Sequence, residues 1–394
     1  MAISFDEFKK TFDYGTYKFD ESSTPYWTYW YAANVLKDRF EEGEKDIAKS
    51  PIWSYYYTMD FVKGRFELGE PALAKESEYS YWYAKHVLFD RFPLGEESIA
   101  NSAYYSYYYA REILKGRFEL GEPAIAKNSD DALEYAKNVM KGRFPLGEEA
   151  ISTKAQNAYD YAAYVLKDRF EMGERAIVQN ADLSLRYAQN VIDGRFERGE
   201  PEISLNHDTS FHYALSVIKG RFQLGEYAIA TDPLMSFNYA VSVLKGRRFE
   251  RGEFAIAKSD ILSLMYAKNI VDGRFELGEP AIAKKGDASL EYAMDILNDR
   301  FELGEPAIAK DAKTSYTYAR KVLRAPFPMG EQAISESAEY SYKYAKNVLK
   351  GRFELGEPAV AKHVWYSHDY SVNILNGDFN ILLRVSILNI EEQD

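Results

Sequence analysis

The sequence predicts an all-α fold, an αα-solenoid wound as a curved superhelix of about fourteen repeats between two terminal caps. Three observations support this prediction. One stretch, clearest as YAKNVLKGRFELGEPAVAK from Tyr344 to Lys362, returns along almost the whole chain. Its copies are 26 residues apart, with a single interval of 27. Within each copy, the apolar residues follow the period of an α-helix.

The arginine of each GRF or DRF sequence marks one copy and gives the repeats their numbers. The marks of repeats 1 to 11 and of repeat 13 are Arg39, Arg65, Arg91, Arg117, Arg143, Arg169, Arg195, Arg221, Arg248, Arg274, Arg300 and Arg352. Pro326 and Asp378 hold the same place in repeats 12 and 14. Positions are counted from the mark, so that position +5 lies five residues after it.

Residues 1–25 match the repeat poorly and are predicted to form an N-terminal cap. Ser4 followed by Glu7 fits a capping box, which predicts the start of a helix. We expect this helix to cover the apolar face of the first repeat, which a solenoid would otherwise expose to water. Its apolar residues are Phe5, Phe8 and Phe12.

The repeats occupy residues 26–378, and each is predicted to begin with a helix of about three turns. A tyrosine precedes the mark in every copy, from Tyr31 to Tyr370, and an apolar pair lies closer to the mark. The glycine or aspartate directly before the mark is expected to end the helix, because glycine readily takes the left-handed cap conformation.

A second, shorter helix is predicted after the mark. Phenylalanine follows the mark in every copy, and glycine and glutamate follow at +4 and +5 in thirteen copies. Proline at +6 in six copies favours a helix start. The expected helix has about two turns, with the apolar residue at +8, such as Ile125, as its buried anchor. The pattern fails after Asp378, so residues 379–394 are predicted to form a C-terminal cap.

The recurring polar and aromatic residues are predicted to be structural, because a residue present in every repeat serves packing first. We expect the tyrosine hydroxyl to bond to a neighbouring repeat. The arginine mark and the glutamate at +5 are expected to form a bidentate ion pair that links successive repeats. A row of lysines at −2, in five of the first six copies, is expected to form a solvated face.

Functional residues are predicted where the repeats differ. Positions −12 and −9 are expected to face outward, and in the first four repeats they are aromatic, whereas the next two repeats carry polar residues there. Aromatic residues in such a stripe favour partner binding; contact between copies of the chain and coverage by the N-terminal cap remain alternatives. The predicted partner-binding residues are Trp27, Trp30, Trp53, Tyr56, Tyr79, Trp82, Tyr105 and Tyr108.

Composition restricts the remaining functions. A net charge of −12 disfavours nucleic-acid binding, and the absence of cysteine excludes disulfides and thiolate metal sites. No long apolar run and no signal peptide are visible, so we expect no membrane insertion and a cytoplasmic location. The sequence contains no recognisable catalytic motif, and paired histidines are five residues apart, which does not place them on one helical face. We therefore predict no cofactor, no metal site and no enzymatic activity.

The motif YAxxVLKGRFxxGExAIA, as in Tyr161 to Ala176 and Tyr344 to Ala361, resembles tandem helical repeats of uncharacterised bacteriophage proteins. The resemblance covers residues 26–378 and transfers no active residue. It implies a phage protein that acts in the host cytoplasm by holding or blocking a host or defence protein.

The sequence as a whole therefore predicts a non-enzymatic protein-binding scaffold. One alternative is a sponge that binds a small molecule, a nucleotide or a sugar, between repeats. Another is a self-assembling structural component, in which the chain would form homo-oligomers. Mimicry of nucleic acid ranks below these, because the net charge amounts to about one unit per repeat and the lysine row interrupts it.

Overall fold

The computed structural model describes residues 3–11, 20 and 22–378, and over these residues the chain is helical with no β-strand. The predicted all-α repeat architecture is confirmed. The chain divides into two compact parts, residues 1–199 and residues 200–394, here called the N-terminal and C-terminal halves. Each half is a helical solenoid of the same repeat. Phe12 and the predicted C-terminal cap, residues 379–394, lie outside the described residues.

Each repeat begins with an α-helical segment, and in nine of the fourteen a polar side chain just before the helix accepts a backbone N–H of its first turn. For example, Asp232 Oδ1 accepts the N–H of Met235 at 2.8 Å, which satisfies a backbone donor that the helix itself leaves free. In the N-terminal half these segments are Thr24–Tyr31, Pro51–Tyr57, Ser77–Tyr83, Ala103–Tyr108, Ser129–Tyr135, Ala155–Asp160 and Ala181–Tyr187. In the C-terminal half they are His207–His212, Pro233–Asn238, Asp260–Tyr266, Gly286–Glu291, Ala312–Tyr318, Ala338–Tyr344 and Val364–Asn373.

In repeats 1 to 13 the first helix continues as a π-helix, which corrects the prediction of a single α-helix. In a π-helix the N–H bonds to the carbonyl five residues earlier, as Lys63 bonds to Thr58 at 2.7 Å. The π-helical segments of the N-terminal half are Ala32–Leu36, Thr58–Val62, Ala84–Leu88, Tyr109–Leu114, Ala136–Met140, Tyr161–Leu166 and Ala188–Ile192. Those of the C-terminal half are Tyr213–Ile218, Tyr239–Val243, Ala267–Val271, Tyr292–Leu297, Ala319–Leu323 and Ala345–Leu349.

The π-helix ends at a left-handed residue, and in most repeats this residue is not the predicted glycine. In repeat 4 it is Lys115, with φ of 50°, and the N–H groups of Lys115 and Gly116 both donate to the carbonyl of Ala110. The row of lysines at −2 therefore occupies a left-handed backbone position, and these side chains are exposed. The prediction that the glycine before the mark adopts this conformation was wrong for these repeats.

A turn and a short helix complete repeats 1 to 13. Several of the turns form a single 3₁₀ turn: Glu41–Gly43, Pro93–Gly95, Pro145–Gly147 and Glu197–Gly199 in the N-terminal half, and Gln223–Gly225, Glu250–Gly252, Glu276–Gly278, Glu302–Gly304, Pro328–Gly330 and Glu354–Gly356 in the C-terminal half. The short helices of the N-terminal half are Glu44–Ile47, Glu70–Leu73, Glu96–Ala100, Glu122–Ile125, Glu148–Ser152 and Glu171–Ile177. Those of the C-terminal half are Glu200–Ile203, Glu226–Ile229, Glu253–Ile256, Glu279–Ile282, Glu305–Ile308, Glu331–Ser335 and Glu357–Ala361.

The packing of the short helix explains two recurring residues. The apolar residue at +8, such as Ile125, is completely buried, as predicted. The glycine at +4 is needed for close approach, because a Cβ atom on Gly121 would lie 2.5 Å from both a ring carbon of Phe118 and the Oγ of Ser106. Its φ is −88°, so no left-handed conformation is involved.

One hydrogen-bond network recurs between successive repeats. The hydroxyl of Tyr109, in repeat 4, accepts the N–H of Phe92 at 2.9 Å and donates to Glu96 at 2.9 Å. Arg91 donates to both oxygens of Glu96, each at 2.9 Å. The predicted tyrosine bond to a neighbouring repeat is confirmed. The arginine–glutamate pair is bidentate as predicted, but it lies within one repeat, and the tyrosine makes the link to the next.

The network also fixes protonation states. Burial raises the pKa of Tyr57 to about 12, because the interior stabilises a charged phenolate poorly. Hydrogen bonds from Arg117 lower the pKa of Glu122. The neutral hydroxyl and the ionised carboxylate are therefore the forms that the fold selects near neutral pH.

The N-terminal helix, Phe5–Thr11, packs on the first repeat. The Ser4 N–H donates to Glu7 at 3.0 Å and the Glu7 N–H donates back to the Ser4 hydroxyl at 3.3 Å, so the predicted capping box is confirmed. Phe8 is buried in a cluster with Trp27. Among the residues that the structure describes, no helix is both long and apolar enough to cross a lipid bilayer.

Candidate functional site

The candidate site lies in the N-terminal half, along grooves between the first helices of successive repeats. Position −10 forms the floor of each groove and is tyrosine in the first four repeats. The floor hydroxyls bond to position −5 of the next repeat, as Tyr29 donates to Asp60 at 2.6 Å and Tyr81 donates to Glu112 at 2.7 Å. These bonds fix the ring planes, because each tyrosine is held at its polar end and packed along its ring.

The predicted aromatic residues pack into these grooves, so they are less exposed than the sequence suggested. The ring of Trp53 lies 5.0 Å from that of Tyr29. In the next groove, Trp82 lies 5.6 Å from Tyr55, and Tyr105 follows at 5.7 Å from Tyr81. Apart from the exposed Tyr56, the rings of repeats 2 to 4 at −12 and −9 are half-buried. Their outer edges, and not whole rings, form the surface.

The first predicted pair is covered by the chain itself. Trp27 is buried, and Trp30 stacks on Phe8 of the N-terminal helix at 5.5 Å between ring centroids. The alternative of coverage by the N-terminal cap therefore describes this pair. Trp30 remains half-buried, and the exposed rings of this region, Tyr56 and Tyr104, lie in repeats 2 and 4.

Two tyrosines are the most accessible part of this surface. Tyr56 is 42% exposed and Tyr104 is 53% exposed. Tyr104 packs on Tyr108 at 4.6 Å and on Tyr105 at 5.1 Å. Sequence reasoning missed Tyr104 because position −13 was not among those predicted to face outward, although its tyrosine was a visible signal. The aromatic face is defined below as Trp53, Tyr56, Tyr79, Trp82, Tyr104, Tyr105 and Tyr108.

An ion pair stiffens the aromatic face at repeats 3 and 4. Lys85 donates to Glu112 at 2.7 Å and to the Tyr81 hydroxyl at 3.1 Å. Burial raises the pKa of Tyr81 to about 12, and hydrogen bonding to Glu112 raises the pKa of Lys85. All three groups keep one charge state near neutral pH. These three groups therefore hold the neighbouring rings in place through bonds that do not change with pH near neutrality.

A groove in the C-terminal half has the same position and a different content. Between repeats 10 and 11 its floor is Leu264, which is half-buried, and positions −12 and −9 are Ala288 and Glu291. These side chains leave a cavity of about 450 Å³. Lys268 crosses it to contact Glu291 at 3.4 Å and Asp295 at 2.9 Å.

The histidines are not gathered into a site. One hydrogen bond of 2.7 Å joins Nδ1 of His86 to the hydroxyl of Tyr55. In the described part of the chain, no three histidine, aspartate or glutamate side chains converge to hold a metal ion. Comparisons with protein-family models, with curated proteins and with solved structures gave no match.

Proposed function

We propose that this chain is a non-enzymatic scaffold that binds a protein through the aromatic face. One observation carries the proposal. The repeats share one hydrogen-bond network, yet repeats 1 to 4 alone have aromatic residues at both −12 and −9, and Tyr56 and Tyr104 of these repeats are accessible.

The chemistry of the face suits a protein partner. Tyrosine and tryptophan supply large apolar contact at little cost in side-chain entropy, and they are enriched among residues that dominate binding energy. The rings are already held by their neighbours, so binding would order little. The net charge of −12 favours a basic partner. The resemblance to phage repeat proteins supports a host or defence protein as that partner, held in the host cytoplasm.

Affinity capture tests the proposal with a matched pair of variants. The test variant carries Tyr56→Ser and Tyr104→Ser, which remove two rings at the outer edge of the face. The control carries Tyr164→Ser and Tyr227→Ser, which are 58% and 70% exposed and lie outside the face. Each tagged protein would be incubated with host lysate, and captured proteins would be quantified by mass spectrometry.

The proposal expects a protein that is captured by the wild type and by the control and is lost from the test variant. That protein should then bind the purified wild-type chain directly. Equal capture by all three proteins, with unchanged circular dichroism, would exclude the aromatic face as the binding surface.

A second candidate function, binding of a small molecule, is favoured by the cavity between repeats 10 and 11. In repeats 2 to 4 the equivalent groove holds an aromatic ring of the chain itself, so a nucleobase or a sugar face has a suitable shape for the open one. A thermal-shift screen with nucleosides and sugars would test this candidate. Ala288→Trp should fill the cavity and abolish any shift. A ligand that still shifts this variant binds elsewhere.

A further inference from the structure

Repeat 12 keeps the recurring glutamate but lacks the arginine that pairs with it. In the other repeats the guanidinium lies on the carboxylate, as Arg300 contacts Glu305 at 2.7 and 3.0 Å. The described pairs of this kind begin at Arg39, Arg65, Arg91, Arg117, Arg143, Arg169, Arg221, Arg248, Arg274, Arg300 and Arg352. In repeat 12 the mark is Pro326, which has no charge to offer.

The glutamate of repeat 12 is nevertheless held in the usual position. Tyr344 donates its hydroxyl hydrogen to Glu331 at 2.8 Å and accepts the N–H of Phe327 at 2.8 Å. In repeat 11 the corresponding distances are 2.9 and 2.9 Å. Glu331 is half-buried, and no lysine or arginine among the described residues pairs with it. The carboxylate is therefore preorganised for a guanidinium that the chain does not supply.

The next repeat does not supply a cation either. In two places the residue at +3 reaches back to the preceding glutamate: Arg198 contacts Glu174 at 3.0 Å, and Arg251 contacts Glu226 at 3.8 Å. In repeat 13, the repeat that follows Glu331, position +3 is Leu355, which cannot form an ion pair. Leu355 is about half exposed, so the surface offers an apolar side chain at the position from which Arg198 and Arg251 reach their glutamates.

We propose that Glu331 is a binding site for an arginine side chain presented by another protein. The two carboxylate oxygens match the two parallel N–H groups of a guanidinium, as they do in the other repeats, whereas an ammonium group has no such fork. The methylene groups of the arginine can pack on Leu355. This site is distant in sequence from the aromatic face and does not depend on the function of that face.

An NMR titration tests the site with N-acetyl-arginine amide as the probe and N-acetyl-lysine amide as the comparison. Tyrosines would be labelled with ¹³C, and the Tyr344 signal would be assigned with Tyr344→Phe. Its hydroxyl touches Glu331, so its ring reports on that carboxylate. At low salt, where exposed ion pairs are least screened, the arginine probe should move this signal at lower concentration than the lysine probe does.

Two variants make the test decisive. Pro326→Arg restores the residue found in twelve other repeats, so it should fold. It should weaken binding of the arginine probe by about two- to fivefold, because the new side chain occupies the carboxylate. Arg300→Ala should create a second site at Glu305, reported by Tyr318. The proposal is overturned if the Tyr344 signal does not respond, responds equally to both probes, or responds unchanged in Pro326→Arg.

Discussion

The grooves of repeats 2 to 4 and the groove between repeats 10 and 11 are built on the same backbone and filled differently. In the first set, tyrosine forms the floor and tryptophan or tyrosine from the next repeat covers it. In the second, Leu264 forms the floor and Ala288 leaves it open. The hydrogen-bond network around the buried tyrosine is the same in both places.

This difference separates what holds the fold from what can recognise a partner. The Phe66 N–H lies 2.8 Å from the Tyr83 hydroxyl in repeat 3, and the Phe275 N–H lies 2.9 Å from the Tyr292 hydroxyl in repeat 11. Positions −12 and −9 take no part in this network, so changes there leave the hydrogen bonds between successive repeats intact. The predictions below test this separation, beginning with the largest expected effect.

Alkaline pH should unfold both halves, because both depend on buried neutral tyrosines. Burial raises the pKa of Tyr57 to about 12 from the ordinary 10.0, so the unfolded chain ionises first. The contribution of each such tyrosine to the free energy of unfolding is then fully present below pH 10. It is lost as the pH rises from 10 to 12, by roughly 2–3 kcal/mol for each tyrosine. Circular dichroism and tyrosinate absorbance should change together. Ionisation of all the tyrosines near pH 10 with the helices intact would contradict this.

Removing one network hydroxyl should cost the same in either region. Tyr83→Phe and Tyr292→Phe each leave a buried backbone N–H without its acceptor and remove one hydrogen bond from a glutamate. Each change should lower the free energy of unfolding by about 1–3 kcal/mol. Denaturant titration of each variant measures the loss. Strongly unequal losses, beyond the scatter expected from local environment, would show that the two regions do not share one scaffold.

Changing the groove contents should move stability in opposite directions. Trp82→Ala removes a half-buried ring from Tyr55 and should lower the free energy of unfolding by about 2 kcal/mol. Ala288→Trp adds a ring to the open groove and should raise it by about 0.5–1 kcal/mol. Thermal unfolding compares the two with wild type. A destabilising Ala288→Trp would mean that the groove cannot accept a ring.

The arginine of the network should matter least. The Arg300 side chain is more than half exposed, so solvent screens its pair with Glu305. Arg300→Gln should cost no more than about 1 kcal/mol, and Pro326→Arg should return a similar amount. Unfolding midpoints at low and high salt measure both effects, since added salt should shrink them. A loss of several kcal/mol would give the ion pair a larger role than the tyrosine network allows.

Much of the scaffold could be predicted from sequence because it repeats. The spacing of the arginine marks predicted the units, and the residue at +8, such as Ile125, was correctly predicted to be buried. The π-helix was not predictable in this way. The π-helix adds only one residue to the turn before Lys63, so the apolar pattern still fits an ordinary α-helix. Lysine rarely adopts a left-handed conformation, so its presence does not predict one.

The candidate site was predicted in part. The sequence singled out repeats 1 to 4 through their aromatic residues, but it placed those side chains outward. Their actual packing depends on the residue at −10 in the preceding repeat, which lies 24 residues before Trp53 in the case of Tyr29. Coverage of Trp30 by Phe8 likewise depends on a contact between distant segments. Such contacts follow from three-dimensional packing, which periodicity within one repeat does not reveal.

Site-specific photo-crosslinking tests the central claim most directly. A photoreactive phenylalanine would replace Tyr104 on the aromatic face or Tyr227 outside it, in the otherwise intact chain. The account predicts a crosslinked protein from position 104 that is absent from position 227, and its yield should fall when Tyr56→Ser is added. The same crosslinked proteins from both positions, or from position 227 alone, would contradict the claim that recognition resides on the aromatic face.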